Sequence, residues 1–185
     1  GTQALFGTNP IAFSAPRVDD APMVIDMSLS KVARGKVMLA NQQNEKIPED
    51  WAIDNEGKPT TDPKKALAGA MLPIGDAKGS ALALMVEILA AGLTGSNFGF
   101  EASSFLDAEG DSPGVGQLII AIDPSFFSGD DFAERIETII SSILEQPSTR
   151  LPGSKRLEKR KVREKSEKIT ISKELYEKIK ALTKS

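Results

Sequence analysis

The sequence predicts a mixed α/β protein, with short strands alternating with helices. Short apolar runs bounded by Gly, Pro, Asn and Asp recur along the first half, as strands require. Longer stretches place apolar residues at helical spacing. Apolar residues make up 40% of the chain and cysteine is absent, so a buried core rather than a disulfide framework must hold the fold.

A chain of 185 residues suits one domain, or one domain with an appendage. The lack of cysteine excludes thiol nucleophiles and zinc–thiolate sites, and a cytoplasmic setting is the simplest expectation. Histidine is absent too, which removes the usual acid–base group near neutral pH and the commonest metal ligand. The N-terminal residues show no basic segment followed by an apolar run and a small-residue cleavage site. The longest apolar stretch, 81–93, contains Glu87, is too short to span a bilayer and reads as a buried helix.

In chain order, Ile11 to Phe13 predicts a strand, and Met23 to Ile25 a buried strand that ends in Asp26, with Ser28 and Ser30 beyond it. Either serine could cap a helix running from near Lys31 to about Asn41. A loop with three prolines follows, in which Trp51 and Ile53 are expected to tuck onto the core. Thr61 or Asp62 then caps a short helix with Pro63 at its first position, carrying Ala66, Leu67 and Ala70. A helix from about Ser80 to Leu93 is expected to present Leu82, Met85, Val86, Leu89 and Leu93, with Gly92 and Gly95 at its end. After a connection rich in Gly, Ser and Asp, Gln117 to Ile122 predicts a strand stopped by Asp123-Pro124. Phe132, Ile136, Ile139, Ile140 and Ile143 mark an amphipathic helix. The tail predicts a basic helix over Leu157 to Lys165, a strand over Lys168 to Ile171 and a last helix capped by Ser172.

The net charge of −3 conceals an asymmetry: residues 151–185 hold 12 Lys/Arg and 5 Asp/Glu, whereas residues 1–150 hold 11 and 21. A basic tail can bind nucleic acid. Here the acids are interspersed and no aromatic platform accompanies them, so a solvated or partner-facing helix surface is the expectation, with no nucleic-acid or membrane partner.

Two places could carry chemistry. "GDAKGS", Gly75 to Ser80, puts Lys78 at the start of a helix, where free N–H groups and the helix dipole favour an anion; an ordinary capped helix start fits the same pattern. Asp26 is either a helix cap or a functional carboxylate. Lys31, Arg34 and Lys36 suit phosphate or a solvated helix face, and the Asp19-Asp20 and Asp130-Asp131 pairs sit in turn contexts. Neither a GxGxxG nor a GxxxxGK[ST] fingerprint occurs.

The blocks "ALFGTNPIAFSAPR", "VIDMSLSKVARGK", "IPEDWAIDNEGKPTTDPKKALAGAMLPIGDAKGSALALMVEILAAGLTG", "GQLIIAIDP" and "RLPGSKR" occur in an order that resembles the malate/L-lactate dehydrogenase family. That family includes sulfolactate, ureidoglycolate and 2,3-diketogulonate oxidoreductases and Δ1-piperideine-2-carboxylate/pyrroline-2-carboxylate reductases. The resemblance implies a non-Rossmann NAD(P)-binding fold, with residues 1–150 as a partial cofactor domain and residues 151–185 as a C-terminal helical segment returning toward an N-terminal domain. It implies a homodimer that uses NAD or NADP to interconvert a 2-hydroxy acid and a 2-oxo acid. Reduction of a cyclic imino acid is the alternative, which Phe98-Gly-Phe-Glu-Ala-Ser103 suits, and a cofactor- or partner-binding module without catalysis is the second alternative.

By motif match, Asp26 is the active-site aspartate that partners a catalytic histidine, and Ile25, Asp26, Met27 and Ser28 line the nicotinamide side. Lys78 matches a cofactor-contacting lysine, Gly153, Ser154 and Lys155 match a second cofactor-contacting turn, and Thr8 is a substrate contact. No metal is implied. Two motifs depart from the family pattern. The C-terminal turn reads "PGSK" where relatives have "PGER", and Asp76-Ala77 precede Lys78 where relatives have glycine and an aromatic. The family's histidine and substrate-binding arginine lie in an N-terminal portion, so the 185 residues alone are expected to be inactive.

Overall fold

The computed structural model describes residues 1–105, 110–166 and 168–183, without the side chains of Glu174 and Lys178. Contacts divide the chain into two compact units. One comprises Gly1–Ser14 with Ile25–Phe132, and the other Ala15–Val24 with Ala133–Ser185.

Strands β1 (Ile11–Ala15) and β2 (Met23–Met27) form a two-stranded sheet. β2 therefore includes Asp26. In the first unit the chain continues into α1 (Arg34–Gln43), β3 (Ala52–Ile53), α2 (Pro63–Ala68) and β4 (Ala70–Met71). β3 pairs antiparallel with β4, Ala52 opposite Met71 and Ile53 opposite Ala70. Val32, Val37, Ile47, Ala52 and Ala66 form the buried cluster, with Trp51, Leu67 and Met71 packed against it. The expectation that Trp51 folds the long loop onto the core is thereby met.

α1 begins three residues later than expected, and Ala33 occupies its cap position without a side-chain bond. Ser28 and Ser30 cap nothing. Their hydroxyls lie 3.2 Å apart, and that of Ser30 donates to the Val32 carbonyl at 2.8 Å, so it stabilises the bend before the helix. Asp62 caps α2, accepting from the N–H groups of Lys64 and Lys65, and Pro63 follows at the first helical position. Ala70 lies outside that helix, because the chain turns at Gly69 and enters β4.

Helix α3 (Asp76–Glu87) runs on into a π-helical turn, Ile88–Gly92. Its buried residues are Gly79, Ala83 and Glu87, and the turn adds Ala91. The larger residues Met85, Leu89 and Leu93, expected inside, are exposed. Close approach of other backbone decides this: a Cβ on Gly79 would collide with the Ile74 carbonyl oxygen, and the Ala83 carbonyl accepts a hydrogen bond from Asn9. Small side chains let helix and chain meet.

Residues 117–122 form no strand. Ile119, expected in a strand, is 85% exposed, with Ile120 and Ile122 nearly as open. A strand exists only when a neighbour accepts its hydrogen bonds. The described residues offer it none. Part of the Gly/Ser/Asp-rich connection before it, residues 106–109, lies outside the described residues. Helix α4 (Ser125–Ser128) follows the Asp123-Pro124 stop, where Asp123 accepts from the Ser125 N–H.

The second unit contains α5 (Phe132–Leu144), except for its first residue, with α6 (Ser154–Ser166) and α7 (Lys173–Leu182). Ile140 is 1% exposed, the centre of the amphipathic face read from the spacing. Arg17 donates to both Glu137 carboxylate oxygens at 2.9 Å and to Asp20 at 2.7 Å, tying the 15–24 segment to α5. This geometry holds the Glu137 carboxyl below its ordinary value, through the Arg17 hydrogen bonds first and its charge second. α6 starts at Ser154, directly after the Gly153 turn and earlier than the predicted Leu157. No strand forms over Lys168 to Ile171, whereas Ser172 caps α7 through the Leu175 N–H at 3.2 Å, as expected.

Candidate functional site

The first unit draws three candidate segments onto one stretch of chain. Leu29, 1% exposed, lies just past β2. Its N–H donates to the Thr8 carbonyl at 2.8 Å, and its own carbonyl accepts from the Ile74 N–H at 2.8 Å. Ser30 forms a bridge with Pro73, and the Lys31 N–H donates to the Leu72 carbonyl at 2.7 Å. The segment that follows Asp26 is thus held between the Thr8 turn and the chain leading into α3.

Within that frame, Ile25 is half-buried and Asp26 exposed, an alternation expected of a strand with one covered face. Met27 is exposed and Ser28 half-buried. Asp26 does not cap α1, whose N-cap position is Ala33.

Lys78 lies in the first turn of α3 and is exposed. The helix is entered through two residues in left-handed conformation, Gly75 (φ 62°) and Asp76 (φ 54°). The first turn carries no side-chain cap; the Lys78 and Gly79 N–H groups donate to the Gly75 carbonyl at 3.2 and 3.5 Å, and the turn holds both the Lys78 ammonium and the Asp76 carboxylate. Asp76 stands within electrostatic reach of Lys31 and, after Asp50, helps hold the Lys31 ammonium above its ordinary range. Lys31 forms an ion pair with Asp50 at 2.8 Å, and Arg34 donates to the Leu67 carbonyl at 2.9 Å. Both are structural partners rather than a phosphate pair. The described residues hold no group of three or more His, Cys, Asp or Glu arranged to bind a metal.

One buried polar contact beside the Thr8 turn escaped the sequence reading. Glu87, 8% exposed, accepts from the Asn9 amide nitrogen at 2.6 Å and from the Gly99 N–H. The same Asn9 nitrogen donates to the Ala83 carbonyl at 2.9 Å. A single acid in the otherwise apolar stretch 81–93 was its only signal. The second unit holds the Gly153, Ser154 and Lys155 turn. Gly153 (φ 77°) has no space for a side chain, since a Cβ would stand 2.9 Å from the Val24 carbonyl oxygen. Ser154 accordingly turns its hydroxyl inward to the Leu151 carbonyl at 2.9 Å, while Lys155 is exposed at the start of α6.

The malate/L-lactate dehydrogenase profile matches residues 1–180. The chain belongs to that family. Within it, the chain is 55% identical over 181 residues to the (2R)-3-sulfolactate dehydrogenase (NADP(+)) of Chromohalobacter salexigens, a match covering 98% of this chain and 54% of that protein. It is 44% identical over 182 residues to Delta(1)-pyrroline-2-carboxylate reductase 1 of Burkholderia ambifaria, covering 97% and 53%. The crystal structure of the Pseudomonas syringae Δ1-piperideine-2-carboxylate reductase is similar with a TM-score of 0.85 at 38% identity, over 98% of this chain and 57% of that one. The Methanocaldococcus jannaschii sulfolactate dehydrogenase is similar with a TM-score of 0.80 at 36% identity, over 96% and 52%. This malate/L-lactate dehydrogenase family chain therefore has the α/β fold of those enzymes and spans about half their length.

Proposed function

We propose that the chain is the cofactor-binding part of an NADP-dependent oxidoreductase that interconverts a 2-hydroxy acid and a 2-oxo acid of the sulfolactate type. The 55% identity to an NADP-dependent sulfolactate dehydrogenase carries this reading. The placement of Lys78 at the start of α3 supports it. Residues 1–150 act as the NAD(P)-binding portion and residues 151–185 as its C-terminal helical extension.

Lys78, at the start of α3, would hold phosphate, and Gly153, Ser154 and Lys155 form a second cofactor-contacting turn. Ile25 to Ser28 line the nicotinamide, and Thr8 contacts the substrate. A nicotinamide bound there would supply hydride transfer to or from the carbon next to the carboxylate. The alkoxide that forms needs a proton. Asp26 orients the group that donates it, and this chain contains no histidine to be that group. The reading carries with it a cytoplasmic homodimer whose ligands are small molecules rather than nucleic acid or membrane. No helix of the described residues is long and apolar enough to cross a bilayer.

A second reading, NADPH-dependent reduction of a cyclic imino acid, is favoured by the Burkholderia and Pseudomonas relatives and by the stacked Phe98 and Phe100 rings, 5.8 Å apart, in the motif read for that branch. The deciding experiment supplies sulfopyruvate, oxaloacetate, pyruvate and Δ1-pyrroline-2-carboxylate with NADPH or NADH. It uses both the 185-residue chain and the longest natural polypeptide that contains it. Turnover of the keto acids with NADPH by the longer polypeptide alone supports the main reading. A preference for the imine supports the second. Absence of NADPH binding by either polypeptide overturns both.

A further inference from the structure

We infer that Glu87 is a positioning residue: it fixes the Thr8–Asn9 turn against the segment after Asp26. The inference rests on the proposed function for the role of Thr8, but its geometry stands apart from that reading.

Asn9 adopts a left-handed backbone, φ 41°, a region that asparagine tolerates better than most residues but in which it rarely remains without support. Support comes from α3. Both hydrogens of the Asn9 amide are used, one on the Ala83 carbonyl at 2.9 Å and one on Glu87 Oε2 at 2.6 Å. The other Glu87 oxygen accepts from the Gly99 N–H. At Gly99 a Cβ would collide with the Gly7 nitrogen and crowd the Phe6 carbonyl carbon, so the two segments already touch there. Glu87 therefore clamps the turn from one side and the Gly99 loop from the other.

The clamp is specific to a carboxylate. Each of its two oxygens faces a donor, and a carboxylate only accepts. Glutamine would turn an NH2 toward one of those donors whichever way its amide lay. The neighbour of Asn9, Thr8, passes the arrangement on, because its carbonyl accepts from Leu29 N–H three residues beyond Asp26. Glu87 thus acts through Asn9. It sets where Thr8 stands.

The test compares Glu87→Gln, Asn9→Gly and the exchanged pair Asn9→Asp with Glu87→Gln in the longest natural polypeptide that contains these residues. Asn9→Gly accepts the positive φ while losing both side-chain bonds, so it probes the clamp with no buried charge altered. Amide hydrogen exchange and steady-state kinetics are read together. We expect the Gly99 amide in Glu87→Gln, and the Leu29 amide in both single variants, to exchange about tenfold faster, with Val37 and Ala66 unaffected. KM for the 2-oxo acid should rise about tenfold with kcat and NADPH affinity nearly unchanged. The exchanged pair restores a donor opposite an acceptor between positions 9 and 87 while losing the bond to the Ala83 carbonyl, so protection of the Gly99 amide should recover part of the loss seen in Glu87→Gln and that of Leu29 should not. Unchanged protection of Leu29 in both single variants overturns the inference. So does a parallel fall of KM-linked and kcat-linked terms with thermal stability, the mark of a purely structural role. If no substrate is turned over by the unaltered protein, the functional reading fails, and the exchange data still decide the clamp.

Discussion

Leu29 and Thr8 are joined main chain to main chain, N–H to carbonyl at 2.8 Å, although they lie on either side of the β1–β2 sheet strands in sequence. The bond places the GTNP turn beside the segment that follows Asp26. Because Leu29 is almost fully buried and its carbonyl is also bonded, to Ile74, the position of Thr8 is tied to the entry of α3. Changes at either end of this chain of contacts should therefore be felt at the candidate site.

Gly79→Ala tests the entry. The new methyl group would meet the Ile74 carbonyl, which is backbone and cannot swing aside. We expect a loss of about 1–3 kcal/mol in stability, typical of forced overpacking, with weakened NADPH binding. Urea unfolding and NADPH titration measure the two effects. Full stability would show that α3 does not pack this closely.

Lys78→Ala tests the anion site. Losing one charge-assisted contact to phosphate should raise the NADPH dissociation constant about tenfold, with the difference shrinking as salt increases. Lys78 is exposed, so stability should stay within about 0.5 kcal/mol of the unaltered protein. Calorimetric titration at low and high salt decides it. An unchanged affinity would detach Lys78 from the cofactor.

Asp62→Ala serves as a contrast. It removes the acceptor for Lys64 and Lys65 N–H at the start of α2, which should cost about 1 kcal/mol. NADPH affinity should not change. A shift in affinity would mean that α2 communicates with the site.

The Arg17–Glu137 pair gives a pH signature in the second unit. The folded Glu137 carboxyl is held below its ordinary value of 4.5 by the Arg17 hydrogen bonds. A depressed acid stabilises the fold fully above the unfolded value and loses that contribution as pH falls through the folded one. Denaturant midpoints of the unaltered protein should thus fall more steeply below pH ~4.5 than those of Glu137→Gln, and the two should run parallel above it. Parallel curves throughout would show that the pair does not couple to folding.

Much of the local structure was legible in the chain because short-range rules produce it. Asp62-Pro63 announces a helix start whatever surrounds it, and Ser172 does the same for α7. Asp26 stood out as an acid in an apolar run, and Lys78 as a cation at a glycine-rich helix start. Periodicity misled where it met tertiary demand. In α3 it pointed to Met85, Leu89 and Leu93, but the stripe that faces inward is Gly79, Ala83 and Glu87, because neighbouring backbone must approach. At residues 117–122 composition alone indicated a strand, which needs a partner that no local pattern can supply.

The sequence by itself determined the family, the mixed α/β class and the side-chain caps of α2 and α7, since these depend on residue identity and near neighbours. Only the tertiary structure decided that Leu29 would link Thr8 to Ile74, and that Glu87 would receive Asn9 and Gly99. Partners tens of residues apart meet only once the chain is packed. A buried carboxylate then takes whichever donors that packing brings within reach.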